Sequence, residues 1–357
     1  MHKLVSIITP SHNYGHFISR LLDSVMNQTY ENIEMFVIDD GSTDNTQDIV
    51  KPYIEKFAKS GKNLNCIYQD NAGVPGAINT GLRKISGEYL VFPDADDWYN
   101  TNTAIADMIE VFETSISNIG AVRGLQYLRD ENLRIIDRKG DPKRSYPVNL
   151  AEHLLFNNED YWWWASGSIM IKTEYLFYYY PKKEIYYRDS SGQNIRFGQN
   201  FQLLFPILYD FECFTMTKYI HNVLVHRNSD SRKKLSYAEE IKRREQIHDV
   251  RISVLDLPQN MINEEKNRLS RIVSLKTDAS RFVMAFKFMQ KKDCSMYYNK
   301  ILSEDRIEAQ EYRWRYLFSQ MALGFKAYKL YVLSRSVVNY FKRYYWVKNE
   351  RRKEKRL

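Results

Sequence analysis

Apolar and polar positions along the first hundred residues follow two alternating rhythms, one of strands and one of helices. Residues 4–10 form an apolar run stopped by Pro10, the pattern of a strand buried on both faces. Ile18, Leu21, Leu22, Val25 and Met26 follow at helical spacing. Residues 33–38 and 64–69 read as a second and a third strand, and 88–92 as a fourth. Between them lie two predicted helices. One covers 43–57, opened by Ser42 or Thr43 as N-cap with Asp44 in its first turn, and the other covers 74–85, with Gly87 just beyond it. Strands separated by helices imply right-handed crossovers and a largely parallel sheet.

Beyond residue 101 the rhythm loosens. A helix is predicted over 103–114, strands near 120–129 and 134–137, and a Lys-, Pro- and Gly-rich loop over 138–147. An aromatic stretch at 161–167 leads into a strand at 168–171, and 199–218 reads as a helix followed by a strand. From 236 onward the pattern is helical, after a polar connector at 228–234.

Composition narrows the class. With 357 residues, 44% hydrophobic and 27% charged, the chain is an ordinary globular protein with ample core. Cys66, Cys213 and Cys294 are far apart and form no CxxC. This argues against a disulfide framework or a zinc site and fits a reducing cytosol. The chain runs from Met1 almost directly into a strand, so no signal peptide is expected, and no apolar run reaches the ~20 residues of a spanning helix. The net charge of +8 is concentrated in the tail, where the aromatics Tyr340, Phe341, Tyr344, Tyr345 and Trp346 sit just before and among Lys342, Arg343, Lys348, Arg351, Arg352, Lys353, Lys355 and Arg356. Such a tail suits either solvent or an anionic membrane surface. No nucleic-acid motif accompanies the charge, so no nucleic-acid partner is expected.

The candidate chemistry sits where two predicted strands end in carboxylates: Asp39-Asp40-Gly41-Ser42 and Asp94-Ala95-Asp96-Asp97. In an open α/β sheet, ligands lie beyond the carboxyl ends of the strands, so these carboxylates should line one crevice. Alternate residues of an extended segment face one side, which would bring Asp94 and Asp96 to one ion. Mg²⁺ or Mn²⁺ takes such oxygen ligands together with substrate phosphates. Asp39 or Asp40 can accept from a base N–H or a ribose hydroxyl, unless Asp40 or Ser42 merely caps the next helix. Thr9, Pro10, Ser11, His12 and Asn13 end the first strand at the same edge, and Asn71-Ala72-Gly73 precedes the third helix. Neither G-x-x-x-x-G-K-[ST] nor a strand-linked G-x-G-x-x-G is present, which disfavours a P-loop NTPase and a dinucleotide oxidoreductase.

In their order and spacing, Thr9-Pro10-Ser11-His12-Asn13, Val37 to Asp44, Asn71-Ala72-Gly73 and Asp94-Ala95-Asp96-Asp97-Trp98 resemble the signature of family 2 glycosyltransferases. The resemblance is strong over 3–100, fair to about 232 and weak beyond. It implies a GT-A fold: a Rossmann-like, mostly parallel mixed sheet flanked by helices, here with a C-terminal helical region. It divides the chain into a catalytic domain at 1–232 (nucleotide-sugar half 1–100, acceptor half 101–232) and a helical region at 233–357. It also implies inverting transfer from a nucleoside-diphosphate sugar, UDP-linked by family frequency, with Mn²⁺ or Mg²⁺. The acceptor would be a cell-surface glycan, a lipid-linked saccharide or a glycoprotein. By family position Thr9 and Asp39 contact the base, Asp94 the ribose or the metal shell, and Asp96 the metal, with Asp97 beside it. Pro10, Ser11, Asn13, Asp40, Asn71, Gly73 and Ala95 belong to the same donor-binding set. His226 or Asp230 would be a further metal ligand and Arg232 a phosphate contact. Of Trp162, Trp163 and Trp164, at least one should face the cleft, and Trp164 is assigned there.

The chain departs from the family where a Glu-Asp pair usually supplies the base. It reads Gly198-Gln199-Asn200-Phe201-Gln202, resembling a G-Q-N-W-Q variant, and an amide takes no proton. Gln199 and Asn200 would position a sugar, leaving Asp189 and Glu184 as candidate bases, with Asp160 behind them. That departure also raises a rival: a lapsed GT-A protein serving as a sugar-binding or scaffolding subunit. Nucleotidyl transfer lacks its Gly-rich basic loop here, and a processive polymerase lacks its Q-x-x-R-W. The expected location is cytoplasmic, at the inner membrane face if the tail binds lipid, and the helical region offers a surface for a homodimer.

Overall fold

The runs at 4–10 and 33–38 become inner strands of a sheet because every apolar side chain in them finds cover on one face or the other. The computed structural model describes residues 3–115, 117–156, 166–186, 188–189, 192–195, 197–226 and 234–320. β1 (Val5–Ser11), β2 (Ile33–Asp40), β3 (Asn63–Gln69) and β4 (Tyr89–Val91) pair in parallel in the order β3-β2-β1-β4. Side chains alternate across them. Val5, Ile7, Met35 and Val37 pack with Ile18, Leu21 and Val25 of α1 (Gly15–Met26) and Val50 and Phe57 of α2 (Thr46–Lys59). Ile8, Phe36 and Ile38 pack on the other side with Ala77, Ile78 and Leu82 of α3 (Gly73–Leu82).

The second half of the sheet is mixed. β8 (Ile169–Lys172) runs antiparallel to β4, β6 (Ile119–Arg129) antiparallel to β8, and β9 (Glu212–Leu224) parallel to β6. Two reversals make β6 and β9 run with β4, so the C-terminal end of β9 emerges at the same edge as those of β1, β2 and β4. β5 (Trp98–Tyr99) pairs antiparallel with β9, and β7 (Ile135–Lys139) with β6. The helices α4 (Ala104–Thr114), α5 (Ala151–Leu155), α6 (Thr173–Tyr179) and α7 (Gln199–Asp210) cover the sheet, with Leu203, Leu204 and Phe205 of α7 in the same core as Ile8 and Leu90.

The described residues fall into two compact units, one of 3–234 with 246–273 and the other of 235–245 with 274–320. Two of the three unit boundaries fall inside α8 (Tyr237–Ser253) and α9 (Asn263–Lys287). The second unit has its own core, in which Phe282 and Phe286 meet Cys294, Tyr298 and Ile301 of α10 (Lys291–Glu304) and Ala309 of α11 (Arg306–Gln320). Among the described residues no helix is long and apolar enough to cross a membrane.

One local expectation fails. Neither Ser42 nor Thr43 caps α2. Ser42 N–H donates to Asp39 (2.9 Å) and Thr43 N–H to the Asn13 amide oxygen (2.7 Å). These bonds hold 42–44 as a loop, and the helix starts three residues late, with Asp44 accepting from Thr46 N–H at 3.0 Å.

Candidate active site

The crest of β1 and β2 is polar but buried. Ser11 and Asp39 are register partners, and Thr9, Ser11 and Asp39 are all buried. Asp39 Oδ1 accepts from Ser42 N–H at 2.9 Å. Its Oδ2 and the hydroxyls of Thr9 and Ser11 are buried without a hydrogen-bond partner among the described residues. Buried polar atoms are nearly always satisfied, so three orphans at one strand crest mark a place where a ligand completes the bonding. Pro10 lies between them, half-buried.

The neighbouring residues build the rim. Asp40 accepts from Gln69 Nε2 (2.7 Å), Ala72 N–H (2.8 Å) and Gly73 N–H (2.9 Å). It therefore caps α3, where negative charge complements the helix dipole, rather than the helix that follows it in sequence. Gly41 has φ +75°, and a Cβ there would meet Asn71 N at 3.0 Å, so both the turn and the close approach require glycine. Asn13 (φ 61°) bridges the first two strand ends: its N–H donates to Ser42 Oγ and its Oδ1 accepts from Thr43 and Asp44 N–H. His12 Nδ1–H donates to the Asp40 carbonyl at 2.8 Å, and the Asn71 amide lies 3.2 Å from the same nitrogen.

Beyond β4 the acidic segment is a turn and not an extended strand, because Asp97 N–H bonds back to the Asp94 carbonyl at 3.2 Å. This corrects the alternation expected from the sequence: Asp94 points into solvent, while Asp96 and Asp97 are buried. The far end of β9 supplies their partners. His226 Nε2 lies 2.9 Å from Asp96 Oδ2, and Leu224 N–H donates to Asp97 Oδ1 at 3.1 Å. Phe17 lies against the His226 ring, centroids 4.6 Å apart. Burial first, and the charge of Asp96 second, raise the Asp94 carboxyl to about 7. Asp94 is exposed as a residue all the same. Asp97 is raised for the same reasons, with Asp94 adding to Asp96. The charges that act on these two carboxyls are other carboxylates, a setting that a bound cation would reverse.

Among the described residues no three His, Cys, Asp or Glu side chains converge to hold a metal ion. Asp94 and Asp96 are oxygen donors at one strand end, the kind that would suit a divalent cation sharing its shell with phosphate oxygens.

The candidate bases differ in freedom. Asp189 lies next to the Arg188–Asn194 bridge. Its Oδ1 accepts from Gln193 N–H (3.0 Å) and its Oδ2 from Gln246 Nε2 (3.2 Å). Glu184 is exposed. Asn194 Nδ2 donates to the Asn71 carbonyl at 3.4 Å, which ties this segment to the strand-end rim. Gln199 and Asn200 open α7 after Gly198, and the oxygens Gln199 Oε1 and Asn200 Oδ1 are buried without partners among the described residues. Asp160, Trp162, Trp163, Trp164, Asp230, Arg232 and the basic tail lie outside the described residues. Sequence reasoning missed Gln246 and its neighbours on α8, which carry no motif and reach the site through packing alone.

Residues 6–165 match the family model described as Glycosyl transferase family 2. Over this segment the chain is similar to family 2 glycosyltransferases. An uncharacterized glycosyltransferase of Nostoc sp. is 33% identical over 151 residues, 42% of this chain and 45% of that protein. Glycosyltransferase GlyA of Streptococcus pneumoniae is 42% identical over 94 residues, 26% of this chain and 13% of that protein. The chain thus spans less than half the length of these relatives. Among solved structures, S. aureus TarS 1-349 in complex with UDP-GlcNAc is 17% identical with a TM-score of 0.57, covering 87% of this chain and 91% of that one. The mannosyltransferase PcManGT from Pyrobaculum calidifontis, in complex with GDP-Man and Mn²⁺, is 15% identical with a TM-score of 0.50, covering 90% and 89%. These likenesses establish the GT-A fold expected from the sequence.

Proposed function

We propose that the protein transfers a sugar from a nucleoside-diphosphate donor, UDP-linked in our reading, to a hydroxyl of a saccharide, lipid-linked or glycoprotein acceptor. The transfer proceeds with inversion and with Mn²⁺ or Mg²⁺. The observation that carries this reading is the pairing of two unlike walls at one sheet edge. On β2 and β1, Asp39 Oδ2, Thr9 Oγ1 and Ser11 Oγ wait for partners. Across β1, at the end of β4, Asp94 and Asp96 concentrate negative charge. Adjacent strands lie about 4.8 Å apart, so the walls stand about two spacings apart, which suits a nucleoside joined to its diphosphate. The structural neighbours hold UDP-GlcNAc, and GDP-Man with Mn²⁺, which supports a nucleotide-sugar donor and a cation.

In this mechanism Asp39 accepts the base N–H, and Thr9 and Ser11 give or accept bonds beside it. Asp96, steadied by His226, and Asp94 would hold the cation, which when bound neutralises charge developing on the leaving diphosphate. Gln199 and Asn200 accept from sugar hydroxyls and orient the transferred or receiving sugar. Deprotonation of the acceptor hydroxyl falls to a carboxylate outside α7. Glu184 is open for that role, whereas both oxygens of Asp189 are bonded. The transfer chemistry resides in the first compact unit, 3–234 with 246–273, and the basic tail would bring it to an anionic membrane face. The amides Gln199 and Asn200, standing where an acid pair is usual, favour one second reading, a sugar-binding scaffold without turnover.

The test is nucleoside-diphosphate release from a panel of UDP- and GDP-sugars with Mn²⁺ or with EDTA. Metal-dependent release from one donor is the expected result. Release unaffected by EDTA would remove the cation from the mechanism. Metal-dependent nucleotide binding by calorimetry, with no release even in the presence of acceptor extracts, would select the scaffold.

A further inference from the structure

Among the described residues of the first unit, Arg251 is a cation without a counter-ion. It lies on the part of α8 that belongs to that unit. Its guanidinium carbon stands 4.6 Å from the centroid of the Phe201 ring. Its Nε is buried without a partner, and among the described residues it makes no ion pair. Burial alone pushes its pKa down, to about 10. An enclosed arginine normally has a carboxylate or a set of carbonyls beside it, because an unpaired buried charge is costly. Here its neighbour is an aromatic face, which leaves the fork of N–H donors free for a planar or tetrahedral oxyanion.

The surroundings say what kind of molecule carries that oxyanion. Phe201 directly follows Gln199 and Asn200, whose orphaned oxygens can accept from hydroxyls. Gly198 has φ +94°, and a Cβ there would meet Val250 Cγ1 at 2.9 Å, so Val250 and Arg251 are packed tightly onto the opening turn of α7. Donor phosphates belong with Asp94 and Asp96. Arg251 is not among the charges that act on Asp94 or Asp97, so it stands apart from that cluster.

We propose that Arg251 binds an anionic substituent, phosphate or carboxylate, on the acceptor, next to the hydroxyls taken by Gln199 and Asn200. This rests on the transferase reading and adds the acceptor's chemical class: an acidic saccharide in place of a neutral one. It also assigns a role to a residue in a region where sequence motifs are absent.

The experiment measures binding of glucose, glucose 6-phosphate and glucuronate to the full chain by calorimetry, with UDP and Mn²⁺ saturating. The wild type should bind one of the two acidic sugars about tenfold or more tighter than glucose, as a charge-assisted fork contact allows. Arg251→Met should erase that preference and leave metal-dependent UDP binding intact. Its thermal midpoint should be no lower than that of the wild type, since an unpaired charge is replaced by an apolar chain that still covers Phe201. A preference for phosphate over carboxylate, or the reverse, names the substituent. Three equal affinities in the wild type, or equal losses in UDP binding and sugar binding in Arg251→Met, would overturn the proposal. A lowered midpoint with the preference kept would overturn it too, by making Arg251 structural. Failure of UDP to bind the wild type would instead count against the transferase reading itself.

Discussion

His221 should make this protein acid-sensitive, and replacing it should remove the sensitivity. The residue lies on β9 opposite Tyr99 of β5, fully buried, with the Tyr99 ring 5.7 Å away edge-on. Neither ring nitrogen has a hydrogen-bond partner among the described residues. A Cβ on Gly167 would meet His221 Nε2 at 2.3 Å and Pro93 Cβ at 2.8 Å, so the imidazole is wedged beneath the residue that precedes Asp94. Burial pushes its pKa from 6.5 down to about 3. The unfolded chain therefore takes up a proton near pH 6.5 that the folded chain refuses until about pH 3, and stability falls as pH drops through that window. Each pH unit below 6.5 removes about 1.4 kcal/mol. At pH 5 the loss relative to pH 8 is about 2 kcal/mol, a sizeable share of a typical domain's ~5–15 kcal/mol.

His221→Met conserves volume roughly and removes two unsatisfied nitrogens, so stability at pH 8 should hold or rise by about 1 kcal/mol. Urea midpoints of both proteins at pH 8 and pH 5 decide the matter. The stability drop between the two pH values should be about 2 kcal/mol smaller in the variant. Equal drops would show that His221 is protonated in the fold, and the argument from burial would be wrong.

Three further outcomes follow from the rim of the site. Asp40→Asn keeps one acceptor oxygen but turns an amide donor toward the Ala72–Gly73 N–H groups that Asp40 now receives. It should cost about 2–3 kcal/mol by urea denaturation and weaken nucleotide affinity with it. Gly41→Ala places a Cβ 3.0 Å from Asn71 N at φ +75° and should cost about 1–2 kcal/mol, with Gly41→Asn milder because asparagine tolerates that conformation. Asp96→Ala should fold and lose Mn²⁺-dependent nucleotide binding in calorimetry, and retention of full metal dependence would clear Asp96 of the role.

The strand ends were legible because their signal is local. An apolar run that stops at Asp39, or at Pro93 and Asp94, announces both the strand and the edge where it ends. What was not legible depends on distant partners. The start of α2 moved because Asn13, thirty residues away from Thr43, holds the loop that a cap would otherwise begin. The Asp94–Asp97 segment read as extended, yet it closes as a turn because the chain must cross to β9, where Trp98 pairs with Asn222. His226 was singled out by its place at a strand end, and its partner Asp96 follows only from the two strand reversals that bring β9 parallel to β4. Gln246 and Arg251 gave no signal at all, since one polar residue on a helix looks like any other until the helix finds its neighbour.

The two sets of unneutralised charge in the first unit argue for two ligands rather than one. Asp94 and Asp97 are raised by burial and by other carboxylates, and Arg251 is lowered by burial alone. If these groups served only the fold, the cheapest arrangement would set them against each other, since an opposite charge nearby relieves both. The fold instead keeps them apart, with an aromatic ring beside the cation and strand-end backbone beside the anions. In our proposal each site stays incomplete until something of the opposite charge arrives: a cation with its phosphates at one, an oxyanion at the other. A group-transfer enzyme needs that separation, because donor and acceptor must be held at once and must not compete for the same partner.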